Sequence, residues 1–349
     1  MIGLVTTSYP RTPDDWVGAF VRRRARALAA TGAVEVIAAG DPDGEGVIRV
    51  PSPLFAGAGG PEALESGGAR ALVLAADFTA RLARLVAERA LRWEAIESHW
   101  LVPCALVACA VAPRLPHRAC AHGGDVALLE RWAGGAALAR FLARSGATFV
   151  FASADLRARF ERLCGRAVEA TVEAAPFDEA VFHRRTAEER ARARLRLGGD
   201  RPLVLAVGRL VPVKGFHVLV RALARLPPGR RPRLVLLGDG PERPALLARA
   251  ARTGVDLRLP GAVTPAAVAD WMAAADLYVQ PSVPLGTGRA EGMPLAVREA
   301  LASGLPVIAS AVGGLRELSA VTLVPPGDPA ALSRALAAFL ESPIAKSAQ

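Results

Sequence analysis

Residues 203–240 read LVLAVGRLVPVKGFHVLVRALARLPPGRRPRLVLLGDG. Leu203–Val207 is a short apolar run closed by Gly208, residues 214–226 repeat apolar side chains at helical spacing, and residues 233–237 form a second apolar run. Strand, turn, helix and strand in that order make a parallel crossover unit, because parallel strands need a long return path. The pattern continues downstream with strands expected at 256–259, 276–280 and 306–309 and helices at 242–253, 265–273, 293–303 and 329–340. Thr264-Pro265 and Asp328-Pro329 each put a capping side chain before a proline at the first helical position. Upstream, strands are expected at 2–6, 34–39, 95–98, 118–121, 148–151 and 168–173, with helices at 18–31, about 70–92, 101–112, 126–143 and 153–163. A break at 174–200 separates the two runs; it holds Pro176, a charged helix that opens on a Thr186/Glu189 capping box, and Gly198-Gly199. The expected fold class is α/β, with two doubly wound Rossmann-like domains, 1–180 and 181–349, facing each other across a cleft.

Composition bounds the function. The 349 residues carry 43 Lys plus Arg against 33 Asp plus Glu, a net charge of +10. Residues 1–180 are neutral, with 20 Arg and 20 acids, and residues 181–349 hold the whole excess, 23 basic residues against 13 acidic. A basic second half suits an anionic ligand or surface, and a solvated basic face is the plainer alternative. Lysine occurs only at 214 and 346, so Lys214 stands out in a chain that otherwise uses Arg. The four cysteines lack zinc spacing and read as reduced core thiols. The N-terminus reads as a strand rather than a leader, and the longest apolar stretch, Leu101–Ala112, is too short to span a bilayer, so a cytoplasmic location is expected. No nucleic-acid module, phosphate loop of the Gly-x-x-x-x-Gly-Lys type or Gly-x-Ser-x-Gly elbow is visible.

Four stretches carry candidate chemistry. In 280–314 a strand ends at Gln280, a glycine-containing loop reaches Glu291-Gly292-Met293-Pro294, and a helix follows with Glu299 inside it. Free N–H groups at such a helix start attract anions. Two carboxylates eight residues apart could hold different hydroxyl-bearing parts of one ligand, or be a helix-start charge and a surface residue. Arg209 and Lys214 flank a strand-to-helix turn where cations could clamp a diphosphate, or simply make a basic loop. His122-Gly123-Gly124-Asp125 ends a strand with a ligand-facing histidine, Asp125 reading as the next helix's N-cap. The opening loop, Thr7–Gly18, is long for its position and enters a helix bearing Arg22, Arg23, Arg24 and Arg26, which could touch anionic headgroups or form a solvated face. Leu237-Gly238-Asp239-Gly240 reads as no more than a turn, and Asp41-Pro42-Asp43 lacks supporting ligands for a metal.

Together these stretches resemble the retaining glycosyltransferases of family 4, or glycosyl transferases group 1, which have the GT-B fold. The likeness is most specific in VGRLVPVKGFHVLVRAL, LVLLGDGPER, EGMPLAVREALASGLPVIASAVGG and VPPGD, and weaker in Gly18-Ala19-Phe20, ESHWLVP around His99, and HGGD. It implies a nucleotide-diphosphate sugar donor, with Arg209 and Lys214 on the diphosphate, Glu299 on the ribose, and Glu291 with the Gly292, Met293 and Pro294 backbone on the sugar. It also implies His122 beside the transferring sugar, Gly18 near the phosphates, Val263 facing the base, and no bound metal or other cofactor. The acceptor it implies is a saccharide or lipid-linked hydroxyl in cell-surface polysaccharide or glycolipid synthesis, with peripheral contact at the inner membrane face. The rival readings are a sugar-nucleotide epimerase and a non-catalytic sugar-nucleotide-binding scaffold. Ala174-Ala175-Pro176-Phe177-Asp178 departs from the family's usual hinge text, and residues after Glu317 are shortened.

Overall fold

The computed structural model describes residues 1–12, 15–41, 46–55 and 68–342. Pro13, Pro42, Asp43 and Lys346 lie outside the described residues. Contacts divide the chain into two compact units, Met1–Pro176 and Phe177–Gln349.

The first unit is built from strands β1 (Ile2–Thr6), β2 (Val34–Ala39), β3 (Ile48–Val50), β4 (Ala95–His99), β5 (His117–Ala121), β6 (Thr148–Phe151) and β7 (Ala170–Val172). They form one parallel sheet in the order β3-β2-β1-β4-β5-β6-β7. Its helices are α1 (Ala19–Ala29), α2 (Gly68–Ala90), α3 (Leu106–Val111), α4 (Gly124–Arg131), α5 (Gly135–Arg144) and α6 (Ala154–Cys164). One apolar core joins Val5, Ile37 and Ile96 to Phe78, Leu82 and Val86 of α2. Leu4 packs against Val21 and Ala25 of α1 in a separate cluster. Alternate residues of one strand thus supply two cores, as a sheet covered on both faces requires.

The second unit repeats the plan with β8 (Leu203–Val207), β9 (Arg233–Leu237), β10 (Leu257–Gly261), β11 (Leu277–Gln280), β12 (Val307–Ser310) and β13 (Thr322–Val324). Its order, β10-β9-β8-β11-β12-β13, is parallel throughout and is the Rossmann arrangement 3-2-1-4-5-6. The helices are α7 (Ala187–Ala193), α8 (Phe216–Ala224), α9 (Arg243–Thr253), α10 (Pro265–Ala274), α11 (Leu295–Ala302) and α12 (Pro329–Glu341). The expected caps form: Thr186 and Glu189 exchange capping-box bonds, Thr264 accepts from Ala267 N–H at 3.3 Å, and Asp328 accepts from Ala330 and Ala331.

Several boundaries differ from the sequence reading. The helix expected over 126–143 is two, because Trp132 takes an extended conformation and Gly134-Gly135 follow. In 101–112 regular helix begins only at Leu106: Val102 is extended (φ −125°, ψ 125°), as the residue before a proline prefers. The helix expected from 293 starts at Leu295, with Pro294 as its extended N-cap. Strands β3 and β13, three residues each, went unread. All four cysteines are free and buried. Among the described residues no helix is long and apolar enough to cross a membrane.

Candidate active site

In the second unit every candidate residue follows the carboxyl end of a strand or sits on the helix that comes next. After β8 the chain turns at Gly208 into a 3-10 turn, Pro212–Lys214, and enters α8. Backbone bonds fix that turn: Leu210 N–H donates to Asp239 C=O at 2.9 Å, Leu210 C=O accepts from Glu242 N–H at 3.0 Å, and Val283 N–H donates to Val213 C=O at 3.0 Å. Gly238 approaches so closely that a Cβ there would stand 2.0 Å from Gly208 C=O. The Gly238-Asp239-Gly240 turn is therefore more than a turn; it is the shelf that carries Gly208–Leu210.

Lys214 packs its side chain under Gly208 and brings Nζ to 2.8 Å from Glu291 Oε1, the two side chains being 18% and 12% exposed. Two sequence-distant candidates thus meet in one ion pair. Glu291 is held from the far side by the glycine pair after β12. Gly314 N–H donates to Gly292 C=O at 2.8 Å, and a Cβ on Gly313 (φ +48°) would lie 1.9 Å from Glu291 C=O. Glu299 lies in the second turn of α11 and is buried, which corrects the alternative of a surface residue. Gly292 and Met293 are half-buried in the loop, Pro294 is buried, and Arg209 is half-buried beside Gly208. Val263 is half-buried after Gly261, whose C=O accepts from Gly238 N–H at 2.8 Å.

A polar ladder that sequence reading missed lies beneath. Tyr278, Gln280 and Ser282 alternate along β11 and its extension, all fully buried; Tyr278 OH donates to Gln280 Oε1 at 3.0 Å and Gln280 Nε2 to Ser282 Oγ at 2.8 Å. Burial, and then the Glu299 and Glu291 carboxylates, raise the Tyr278 phenol above its ordinary pKa, so it remains a neutral donor. The period-two spacing in YVQPS was the available signal.

In the first unit the candidates again follow strand ends. Gly18 (φ +71°) caps α1 and presses on the opening loop, where a Cβ would stand 2.3 Å from Ser8 C=O. His122 follows β5 and is half-buried. Its Nε2 is 3.0 Å from His99 Nδ1 with the rings 10° from parallel, and the edges of Phe20 and Trp100 meet it with centroids at 4.8 Å. Enclosure holds the His122 imidazole well below its ordinary pKa, so it is neutral. Trp100 occupies positive φ (79°), a position that only strong surrounding contacts maintain in a non-glycine residue.

Asp125 is not the helix N-cap. It lies within the first turn of α4, and its carboxylate accepts from Leu101 N–H at 2.9 Å, Gly123 N–H at 2.9 Å and Val126 N–H at 3.0 Å, tying the His99 and His122 loops together. The arginine cluster on α1 is also not one solvated face: of Arg22, Arg23, Arg24 and Arg26 only Arg26 is exposed. Arg24 forks onto the buried Glu97 at 2.8 and 2.7 Å. Burial pushes the Glu97 carboxyl up, and Arg24 followed by His99 overcomes it, bringing it down to about 2.

Glu97, His99 and Cys120 place ligand atoms within 4.8 Å of one another. The donor set does not suit a cation, because both Glu97 oxygens already face Arg24 and one faces Arg118 at 3.4 Å. A second cluster joins Cys109 Sγ to His117 Nδ1 at 3.3 Å and His117 Nε2 to Ser98 Oγ at 2.7 Å. Burial raises the Cys109 thiol and lowers His117 to about 4, the opposite of what an activated thiolate needs.

Two parallel-sheet Rossmann-like units define the GT-B class of fold, and solved structures agree. Sucrose-phosphate synthase from Thermosynechococcus elongatus superposes with a TM-score of 0.78 at 21% identity, covering 98% of this chain and 90% of that one. HepE of Anabaena, solved with UDP and glucose, gives 0.73 at 21% identity, covering 100% and 94%. By sequence, residues 201–342 match the model of the glycosyl transferases group 1 family. Among curated relatives, TuaC of Bacillus subtilis, named as a teichuronic acid biosynthesis glycosyltransferase, is 33% identical over 245 residues, 66% of this chain and 56% of that protein. The D-inositol 3-phosphate glycosyltransferase of Xylanimonas cellulosilytica is 42% identical over 137 residues, 38% of this chain and 31% of that protein. The chain therefore spans about half or less of these relatives' length.

Proposed function

We propose that this protein is a retaining glycosyltransferase that moves a sugar from a nucleotide-diphosphate sugar to an acceptor hydroxyl. The observation that carries the reading is the Lys214–Glu291 pair at 2.8 Å, assembled from two strand-end loops in the unit matched by the family, with buried Glu299 on the next helix. Arg209 and Lys214 are positioned on the loop after β8 to receive a diphosphate, and Lys214 keeps further N–H donors beyond the one facing Glu291. Negative charge grows on the leaving diphosphate as the glycosidic bond breaks, and fixed cations there lower the barrier. Glu299 holds the ribose, Val263 faces the base, and Glu291 with Gly292, Met293 and Pro294 holds the sugar. His122 and Gly18 serve from the first unit.

Among these residues none is an obvious nucleophile, so attack runs on the front face with the leaving phosphate accepting the hydroxyl proton. No bound metal is needed in this scheme. The acceptor is a saccharide or lipid-linked hydroxyl of cell-surface polysaccharide or glycolipid synthesis at the cytoplasmic membrane face; TuaC's name supports a cell-surface polysaccharide. HepE's complexes with UDP and UDP-glucose make UDP the first nucleotide to try.

The test is thermal melting with UDP, GDP, ADP and TDP, free and as sugar conjugates, for wild type and Glu299→Ala. Ligand at 100 times its Kd adds about 2.7 kcal/mol of stability. A shift with one base, weakened in the variant, is the expected result. No shift with any of them overturns the donor-site assignment, and binding without sugar transfer reduces the protein to a scaffold.

A further inference from the structure

The chain Arg24–Glu97–His99–His122 crosses the first unit from α1 to the strand-end loop after β5, and in two of its three links, those to Glu97, the proton direction is forced. Arg24 can only donate, and its fork fixes Glu97 as an acceptor-only carboxylate. His99 Nε2 is buried 3.2 Å from Glu97 Oε1 and has no other partner among the described residues. The contact is not a well-aligned hydrogen bond, but a bare nitrogen lone pair held there would face a carboxylate in a desolvated site, whereas an N–H is attracted to it. His99, taken as a neutral imidazole, therefore carries its single proton on Nε2, which leaves Nδ1 bare. The 3.0 Å contact between His99 Nδ1 and His122 Nε2 then needs its proton from His122. By elimination, neutral His122 presents an unprotonated Nδ1, for which no bond to a described residue is found.

We infer that Glu97 and His99 are positioning residues that fix His122 as a hydrogen-bond acceptor through Nδ1, selecting a neutral hydroxyl rather than a phosphate or carboxylate at the atom it meets. That hydroxyl belongs to the transferred sugar or its acceptor, and this part rests on the function proposed above. An anionic group in the same place would meet a lone pair, with the Asp125 carboxylate bound to the His122 backbone N–H at 3.2 Å and Glu97 two rings behind. Phe20 and Trp100, edge-on to the His122 ring, hold its plane so that the lone pair keeps its aim.

The experiment has two arms on the full chain. With uniformly ¹⁵N-labelled histidine, a nitrogen–nitrogen scalar coupling across the His122–His99 bond is expected, with the proton on His122 Nε2 and His99 Nδ1 bare. A proton on His99 Nδ1, or a doubly protonated His122 at neutral pH, overturns the inference whether or not the protein transfers sugar. In the second arm His99→Phe removes the acceptor for His122, while His99→Gln can still accept from His122 and donate to Glu97. His99→Phe is expected to lower kcat roughly 10- to 100-fold with donor KM and nucleotide-dependent melting little changed, a loss typical of misorientation. His99→Gln is expected to recover most of it. Equal loss in both variants means His99 serves the fold alone and ends the proposal. Absence of a nucleotide shift in wild type would instead overturn the donor-site reading and leave the coupling to decide this one.

Discussion

Glu97 shows how a single residue can organise a half-site from below. It is buried, and Arg24 together with His99 more than offsets the cost of its charge, leaving the carboxyl at about 2. A carboxyl held below its unfolded value contributes stability that is complete above about pH 4.5 and is lost as pH falls toward about 2. The size of the displacement corresponds to about 3 kcal/mol. Urea melts at pH 6, 4 and 3 should therefore show the first unit weakening in acid, and Glu97→Gln should flatten that pH dependence. The variant should be less stable at pH 6, because one amide face must point its N–H at a guanidinium. An unchanged slope would mean that the pair does not set the acid response. Lys214 makes a contrasting case. Its partner Glu291 is itself assigned to the substrate, so Lys214→Met should cost little stability and about 2–4 kcal/mol of transition-state stabilisation, measured as kcat/KM. A rise in donor KM with kcat unchanged would assign Lys214 to ground-state binding.

At the scale of elements, the parts legible in the sequence were those with a period or a cap. Strands 2–6, 34–39, 148–151, 203–207 and 233–237 match the observed bounds, and of the four side-chain caps read from sequence Thr186, Thr264 and Asp328 are made while Asp125 lies inside its helix. Of the candidate site, a carboxylate before a helix and a second one inside it, Glu291 and Glu299, could be read from the sequence, but not that Glu299 is buried. It was not legible where long-range backbone contact carried it: nothing local in Gly238 or Gly313 says that another loop rests on it. The Arg24–Glu97 pair was hidden for the same reason, since its partners are 73 residues apart. Gly313→Ala tests this level. The added methyl would collide with Glu291 C=O in a backbone region that side chains disfavour, so the 291–292 loop must move. The expected result is donor binding weakened by about tenfold or more, with about 1–3 kcal/mol of lost stability. Gly229→Ala, which meets open space, should stay within about 0.5 kcal/mol and bind normally. Equal behaviour of the two variants would show that the glycine pair does not hold the loop.

For the whole molecule, the separation into two units has a thermodynamic consequence. Each unit closes its own sheet and its own cores, and the contact division falls between Pro176 and Phe177. The basic excess belongs to residues 181–349, where Arg209, Lys214, Glu291, Glu299 and Val263 also lie, while His122, His99 and Gly18 belong to the first unit. Unfolding of such a chain need not be two-state, and a ligand stabilises what it binds. A nucleotide without its sugar is assigned contacts almost entirely in the second unit. It should therefore protect amides of residues 208–215 and 291–299 from hydrogen exchange and raise the transition of that unit, with much smaller change at 95–125. Raising the salt should weaken the protection, because the cations proposed to receive the diphosphate are partly exposed. The sugar conjugate should extend protection to the His99 and His122 loops, since only the sugar is assigned to them. Equal protection of both units by the bare nucleotide would mean that the first unit contributes to nucleotide binding itself. In that case the division of labour between a donor unit and a sugar-facing histidine would have to be redrawn.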